Sequence, residues 1–183
     1  LHDQTVRLMN HGFKAAEIAE RLALPRGLAA TWHVRGYYGT LSHNSKSVYQ
    51  RYLGWYDANP ASLDPLPPVE RGGKYVEYMG GAAAALARAR EDYARGEYRF
   101  VAEVMSHLVF ADPANREARR LGADALEQMG YAAEAATWRN AYLLGALELR
   151  QGRPDTTARA PVSPDLVRGM TLDLFFDYLA VRL

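Results

Sequence analysis

The sequence predicts an all-α protein folded as a helical bundle. Apolar residues recur at three- and four-residue spacing along most of the 183-residue chain. Glycine and proline interrupt these periodic segments at intervals typical of helix ends. Alanine-rich stretches such as GGAAAALARA add strong helix formers. With 49% apolar residues, the chain has enough apolar side chains to bury a core.

The first helices are short. Residues 1–11 place Val6 and Met9 on one side of a helix, which is expected to stop at Gly12 in a left-handed cap. A second helix, KAAEIAERLAL, ends before Pro25, and RGLAATWH forms a further turn or two. These segments predict a compact helical pair at the start of the chain.

The segment RGYYGTLSHNSKSVYQRYLGWY, residues 35–56, is the densest in aromatic and cationic side chains. Its first residues, with two glycines around two tyrosines, predict a loop, and helix resumes near Ser42. Helical spacing of the later aromatic residues favours a packed stripe over a binding surface. The stripe consists of Val48, Tyr49, Tyr52 and Tyr56. Three tyrosines are kept as candidates for contact with a ligand, namely Tyr37, Tyr38 and Tyr56.

The later helices resemble one another. RGEYRFVAEVMSHLVFADPANREA has the pattern of a tetratricopeptide-like hairpin, and Gly96 and Gly130 are separated by the 34-residue period of that repeat. Asp112 is expected to cap the next helix, with Pro113 at its first position. Two units are too few for an array, so the sequence predicts a bundle with tetratricopeptide-like helical hairpins.

The end of the chain differs in composition. Residues 154–162, within RPDTTARAPVSP, predict a linker, and residues 163–183 begin a new apolar unit. The chain starts at Leu1 in mid-helix pattern and stays apolar up to Leu183. We therefore expect a bundle truncated at both ends, a segment of a longer protein.

Composition argues against several classes of function. A net charge of +1 gives no field that would attract nucleic acid, and no apolar run approaches the roughly 18 residues of a transmembrane segment. Cysteine is absent, so thiolate zinc sites and thiol nucleophiles are excluded. The five histidines show no tight metal-ligand spacing, so no metal site is predicted in this chain. Phosphate-binding and nucleophile-elbow motifs do not occur.

One candidate binding feature is left, at the start of the helix after Thr40. Arg35 supplies a forked cation, His43 a proton or hydrogen-bond donor and Asn44 an amide, all near free backbone N–H groups. Such groups suit an oxyanion at a helix N-terminus. The alternative is that His43 is a cap or an ordinary surface residue and that the tyrosines are core.

Three stretches together resemble the middle of the zinc-dependent alkyl sulfatases of the metallo-β-lactamase superfamily. They are LHDQTVRLMNHGF, RGYYGTLSHNSKSVYQRYLGWYDANPASL and YRFVAEVMSHLVFADPANREARRLGADALEQMGYAAEAATWRNAYLLGALELR. The resemblance covers nearly the whole chain. It implies an enzyme that hydrolyses alkyl sulfate esters to alcohol and sulfate.

The resemblance also implies a domain layout. Residues 1–20 would be the trailing helix of a catalytic domain, residues 21–153 the helical dimerisation domain, and residues 163–183 the start of a sterol-carrier-like C-terminal domain. The zinc motif His-x-His-x-Asp-His is missing from this sequence. A binuclear zinc site would therefore lie upstream, and this chain alone is not expected to be active. The family suggests a bacterial periplasmic or secreted location, with any signal peptide before Leu1.

Site residues carried over from the resemblance lie in the segment that helps to close the sulfate pocket. His43 is the candidate for contacting sulfate or donating a proton. The candidate substrate-binding residues are Arg35, Tyr38, Asn44 and Tyr56. The family also implies a homodimer, and the small residues of GADALEQMGYAAEAA suit closely packed helices.

Three hypotheses follow from the sequence. The chain is the dimerisation region of an alkyl sulfatase, lending pocket residues but no metal. Alternatively, it is a tetratricopeptide-like adaptor that binds a peptide in a helical groove. A complete small enzyme built on His43 is the third hypothesis, and the missing base, metal and nucleophile count against it.

Overall fold

The computed structural model describes residues 1–152 and 163–182, and every regular element in that part of the chain is helical. The all-α prediction is confirmed. The first unit, Leu1–Gly152, holds α1 (His2–Asn10), α2 (Ala15–Arg21), α3 (Arg26–Ala29), α4 (Leu41–Leu53), α5 (Pro68–Tyr78), α6 (Ala82–Ala94), α7 (Tyr98–Ala111), α8 (Arg116–Ala132) and α9 (Ala136–Gln151). Short 3₁₀ turns form at Trp32–Val34 and Pro60–Ser62.

The described part of the second unit contains α10 (Pro164–Arg168) and α11 (Leu172–Arg182). Pro164 occupies the first turn of α10, where a missing N–H costs nothing, and the Ser163 hydroxyl accepts a hydrogen bond from the Asp165 N–H. The predicted linker, residues 154–162, lies outside the described residues. None of the described helices is long and apolar enough to cross a membrane.

The N-terminal core lies between α1, α2 and α4. Gly12 has a φ of +85°, which confirms the predicted left-handed turn after α1. Thr5 and Leu8 are the buried residues of α1, while Val6 and Met9 are partly buried and Met9 packs against the same core. The polar side chain of Thr5 can be buried because its hydroxyl donates a hydrogen bond to the Leu1 carbonyl at 2.9 Å.

The aromatic stripe of α4 is only partly in the core. Tyr49 is 4% exposed and packs with Leu8 and Ile18, as expected for a core residue. Tyr52 is 57% exposed, so its predicted burial is wrong. Its hydroxyl lies 2.9 Å from His2 Nε2, at the margin of the contact between α1 and α4. These short helices are too small to cover both rings.

The larger core lies between α5, α6, α7 and α8. Leu86, Val101, Met105 and Leu108 pack there with a set of small residues, and Ala118 is fully buried. The small residues allow close approach of helices, as predicted. A Cβ on Gly122 would stand 3.1 Å from the Met105 Cβ, and one on Gly130 would stand 2.8 Å from a methyl of Leu143 on α9.

Consecutive helices from α6 to α9 contact one another as hairpins. The 34-residue spacing nevertheless does not relate equivalent positions. Gly96 has a φ of +82° in the turn after α6, whereas Gly130 is a buried residue inside α8. The repeat period read from these two glycines is therefore wrong.

The predicted start of α8 is also wrong. α8 begins at Arg116, and the Asn115 side chain caps it by accepting from the Ala118 N–H at 3.0 Å. The Asp112 N–H still donates to the Leu108 carbonyl at 2.9 Å, so Asp112 belongs to the end of α7. Its carboxylate accepts from the Ala114 N–H and stabilises the turn instead.

Candidate functional site

The loop of residues 35–40 is held against the beginning of α9. The Ala136 N–H donates to the Tyr37 carbonyl at 2.7 Å, and the Thr137 hydroxyl donates to the Tyr38 carbonyl at 2.8 Å. Both donors come from the first turn of α9, and the Ala136 N–H is one of the backbone donors that have no partner within the helix. Two segments almost 100 residues apart in the chain thus meet beside the N-terminus of α4.

The loop is compact because two of its glycines allow close contacts. A Cβ on Gly36 would lie 3.1 Å from the Gly39 carbonyl oxygen, and a Cβ on Gly39 would lie 3.0 Å from the Asn44 Oδ1. The Asn44 side chain therefore lies directly against the loop. Its backbone N–H donates to the Thr40 carbonyl at 2.9 Å, within the first turn of α4.

His43 is fixed from two sides. The Thr40 hydroxyl caps α4 by accepting from the His43 N–H at 2.9 Å. Trp138 of α9 donates its indole Nε1–H to the His43 Nδ1 at 3.2 Å, with the ring centroids 6.1 Å apart in an edge-to-face arrangement. Indole nitrogen is a donor only, so Nδ1 must accept. A neutral His43 then carries its proton on Nε2, the nitrogen free to act as a donor.

Arg35 lines a cavity together with Trp138, the partner of His43, and already has an ionic partner. Its Nη2 lies 2.5 Å from the Glu134 Oε1, and its guanidinium lies 5.8 Å from the centre of the Tyr37 ring. This ion pair is exposed, with side-chain exposures of 53% and 40%. One carboxylate uses only part of the five-donor guanidinium, so further N–H groups are free to bind an anion.

A cavity of about 430 Å³ opens beside this junction. Its polar lining combines the loop, the start of α4 and the start of α9, in the side chains of Arg35, Thr40, Ser42, Glu134 and Trp138. The Lys46 Nζ lies 5.6 Å from the centre of the Trp138 ring on the same helix end as His43. The region therefore presents hydrogen-bond donors and cations around the Trp138 ring.

A model of the family described as alkyl sulfatase dimerisation matches residues 14–152. The chain belongs to this family. An alkyl/aryl-sulfatase of Saccharomyces cerevisiae is 60% identical over the whole chain, and a linear primary-alkylsulfatase of a Pseudomonas species is 52% identical. The structure of a stereoselective inverting sec-alkylsulfatase from Pseudomonas matches all of this chain with 51% identity and a TM-score of 0.91.

This member of the alkyl sulfatase dimerisation family spans 27% to 28% of the length of those relatives. The family match gives no support to the tetratricopeptide-like adaptor. Residues 1–152 and 163–182 contain no group of three or more His, Cys, Asp or Glu side chains that could hold a metal ion. The described side chains therefore do not fit a zinc centre.

The five site residues predicted from the sequence are not all brought together. Arg35, Tyr38, His43 and Asn44 surround the junction of the loop with α4 and α9, although the Tyr38 ring is 79% exposed. Tyr56 follows the C-terminus of α4, a helix of 13 residues. Because a helix rises about 1.5 Å per residue, roughly 20 Å separate its two ends, and Tyr56 lies apart from the others.

Sequence reasoning missed Glu134 and Trp138. Both lie about 95 residues or more beyond their partners, Arg35 and His43. The only local signal is the TWRNAY segment, in which Trp138 and Tyr142 stand one helical turn apart. That pattern is equally typical of core packing, so the sequence alone does not reveal the contact.

Proposed function

We propose that this chain is the dimerisation region of an alkyl sulfatase and that it lends pocket residues to a binuclear zinc site in an upstream catalytic domain. The full enzyme would hydrolyse alkyl sulfate esters to alcohol and sulfate. The observation that carries this proposal is the family match over residues 14–152, together with the names of the relatives that extend beyond it.

The proposal assigns residues 1–20 to the end of the catalytic domain, 21–153 to the dimerisation domain and 163–183 to the start of a sterol-carrier-like domain, with a linker at 154–162. The end of the first unit at Gly152 supports the second boundary. Packing of α1 and α2 on α4 supports a firm connection at the first boundary. The trailing helix would thus hold the N-terminus of α4 in a fixed position relative to the catalytic domain.

We assign the donor role to His43, and its hydrogen bonds support this assignment. Cleavage of a sulfate ester places negative charge on the leaving oxygen or on the sulfate, and both need a proton or a hydrogen-bond donor. The Trp138 hydrogen bond keeps Nδ1 as the acceptor, so Nε2–H is the donor offered to a ligand. Thr40 fixes the helix turn that carries the ring.

The other candidate residues have supporting roles. Arg35 would hold a non-bridging sulfate oxygen with the donors that Glu134 leaves free. Asn44 and Tyr38 would bind from the loop beside this cavity, where Asn44 lies against Gly39 and the Tyr38 carbonyl accepts a hydrogen bond from Thr137. Tyr56, at the far end of α4, would contact the apolar part of a long substrate and not its sulfate.

A homodimer is supported by apolar side chains that this chain leaves at its surface. On α9, Leu144 is 51% exposed and Leu147, three residues later on the same side of the helix, is 42% exposed. Phe100 and Phe110 of α7 are 53% and 44% exposed. Apolar surface of this kind is typically covered by a partner, and twofold dimers are the commonest solution.

Light scattering during size exclusion of the 183-residue chain tests the dimer. We expect a mass of about twice the monomer mass of 20.4 kDa. A monomer at high concentration would contradict the proposal. A hydrolysis assay on the same chain with added zinc is expected to show no alkyl sulfate cleavage, because the metal-binding residues are assigned upstream.

A further inference from the structure

A second cavity, of about 600 Å³, lies between the 3₁₀ turn Pro60–Ser62 and α5. Its lining combines amide, hydroxyl, cationic, aromatic and aliphatic groups, among them Asn59, Ser62, Leu66, Arg71, Lys74 and Tyr75. No carboxylate is among the residues that line it. The lining therefore holds two cationic side chains, Arg71 and Lys74, and no anionic one.

Arg71 is the exceptional group in this cavity. Its Nε is buried and has no hydrogen-bond partner, a condition found for no other buried side-chain nitrogen or oxygen in the described part of the chain. Arg71 also forms no ion pair with the acidic side chains of residues 1–152. Because buried polar atoms are normally hydrogen-bonded, the unpaired Nε–H is a donor available to a ligand.

The position of Arg71 is imposed by the packing of α5 on α7. A Cβ on the adjacent Gly72 would stand 2.7 Å from the His107 carbonyl oxygen, so the two helices are in close contact there. One turn later, the Tyr75 ring stacks on the His107 ring with centroids 4.4 Å apart. These contacts fix the turn of α5 that carries Arg71 at the cavity wall.

The surrounding groups do not neutralise Arg71. Partial burial first, and then the charge of Arg71, lowers the pKa of His107, so this neighbour is neutral near pH 7. Lys74 is a second cation at the cavity, and its exposed pair with Glu77, at 3.1 Å, faces solvent. Residues 57–67, which precede α5, form a segment that we call the strap. Within it, the Asp57 carboxylate accepts hydrogen bonds from the Asn59 N–H and the Ser62 hydroxyl.

Apolar surface lies next to these cations. Leu66 is 45% exposed and Tyr78 is 90% exposed, and both line the same cavity. A bare inorganic anion would leave this surface in water. A ligand with an oxyanion at one end and an apolar body would use both parts of the wall.

We propose that this cavity binds an organic oxyanion, whose charged group accepts hydrogen bonds from Arg71 beside Lys74 and whose apolar body lies on Leu66 and Tyr78. This inference concerns the strap and α5 and is independent of the role assigned to His43. The competing occupant is a carboxylate side chain from elsewhere in a longer polypeptide or from a second copy of the chain.

The Arg71 Nε–H signal in a ¹⁵N NMR spectrum tests the proposal directly. The chain is titrated with hexyl sulfate below its micellar concentration, with inorganic sulfate and hexanol as matched probes for the two halves of the ligand. We expect a saturable shift of the Arg71 signal with hexyl sulfate, at least about tenfold weaker binding of inorganic sulfate, and no shift with hexanol. An Arg71 signal that does not respond to hexyl sulfate overturns the proposal.

Three variants localise the binding. Arg71→Gln is expected to weaken hexyl sulfate binding about tenfold or more, and Lys74→Gln, at an exposed position, several-fold. Arg120→Gln on α8 is the matched control, since Arg120 is exposed and lies outside the cavity, and its affinity should equal that of the unsubstituted chain. Circular dichroism checks the fold of each. If Lys74→Gln and a folded Arg71→Gln both bind normally, the assignment is wrong.

Discussion

The bundle (α5–α9) and the aromatic segment (residues 32–56) use their side chains in opposite ways. In the bundle, Ala118, Ala123 and Ala125 are fully buried, and glycines allow the helices to touch. In the aromatic segment, Trp32 and Trp55 are each 71% exposed and most tyrosines are exposed as well. Small residues therefore build the interior, whereas the large rings remain available for contact with another domain or a ligand.

The first prediction separates core from surface within the aromatic segment. Tyr49→Ala should lower the free energy of unfolding by about 3 kcal/mol, since it opens a cavity against Leu8 and Ile18. Tyr52→Ala on the same helix, at a ring that is 57% exposed, should cost less than about 1 kcal/mol. Urea denaturation measures both. Equal losses would remove the distinction between the two rings.

The second prediction tests close packing in the bundle with two neighbouring glycines of α5. Gly72→Ala should lower the free energy of unfolding by about 1–3 kcal/mol, because the new methyl meets the His107 carbonyl oxygen. Gly73→Ala has nothing within 4 Å of the new methyl. It should raise the stability by roughly 0.5–1 kcal/mol, through helix propensity alone. Stabilisation by both substitutions would show that α5 and α7 are not in contact there.

The third prediction concerns the contact that joins the two regions. Trp138→Phe removes the indole donor to His43 and should lower the stability by about 1 kcal/mol or less. The larger change should be in the ¹⁵N NMR signals of the His43 ring, which should lose the preference for a proton on Nε2. Trp55→Phe, at an exposed ring, is the control. A His43 spectrum unchanged by Trp138→Phe would contradict the hydrogen bond.

The fourth prediction is the smallest in effect and concerns pH. Burial and the charge of Arg71 lower the pKa of His107 in the folded state, so the unfolded chain binds this proton more readily. The folded state favours the neutral form of His107. The contribution of this form to stability is therefore fully present above the unfolded pKa of about 6.5, and it decreases as the pH falls from that value toward the folded pKa. His107→Gln should reduce the loss of stability between pH 7 and 5, as measured by urea denaturation at each pH. A pH profile of stability that His107→Gln leaves unchanged would contradict the pKa assignment.

Local sequence patterns predicted where the helices form, but they did not predict which side chains the helices contact or which residues cap them. Periodicity and Gly or Pro stops indicated α1, α2, α4 and the hairpin of α7 and α8, because these signals act within a few residues. Asp112 and Asn115 are equally suitable caps by sequence, and only the hydrogen bond that extends α7 to Asp112 decides between them.

The candidate site shows the same limit. The sequence drew attention to Arg35 and His43, but their partners Glu134 and Trp138 come from α9 and its approach, some 95 residues later. No rule based on spacing links such distant residues. The exposure of Tyr52 was equally unpredictable, since the helical stripe is the same whether or not enough neighbouring chain exists to cover it.

The most direct test of the account is the hydrolysis of an alkyl sulfate by the full-length enzyme to which we assign this chain. His43→Gln should lower kcat by about a hundredfold or more, as expected for loss of a proton donor, with a smaller change in KM. His11→Gln, at an exposed histidine outside the candidate site, should leave both constants unchanged. If His43→Gln behaves like His11→Gln, the aromatic segment contributes no catalytic donor and the central claim fails.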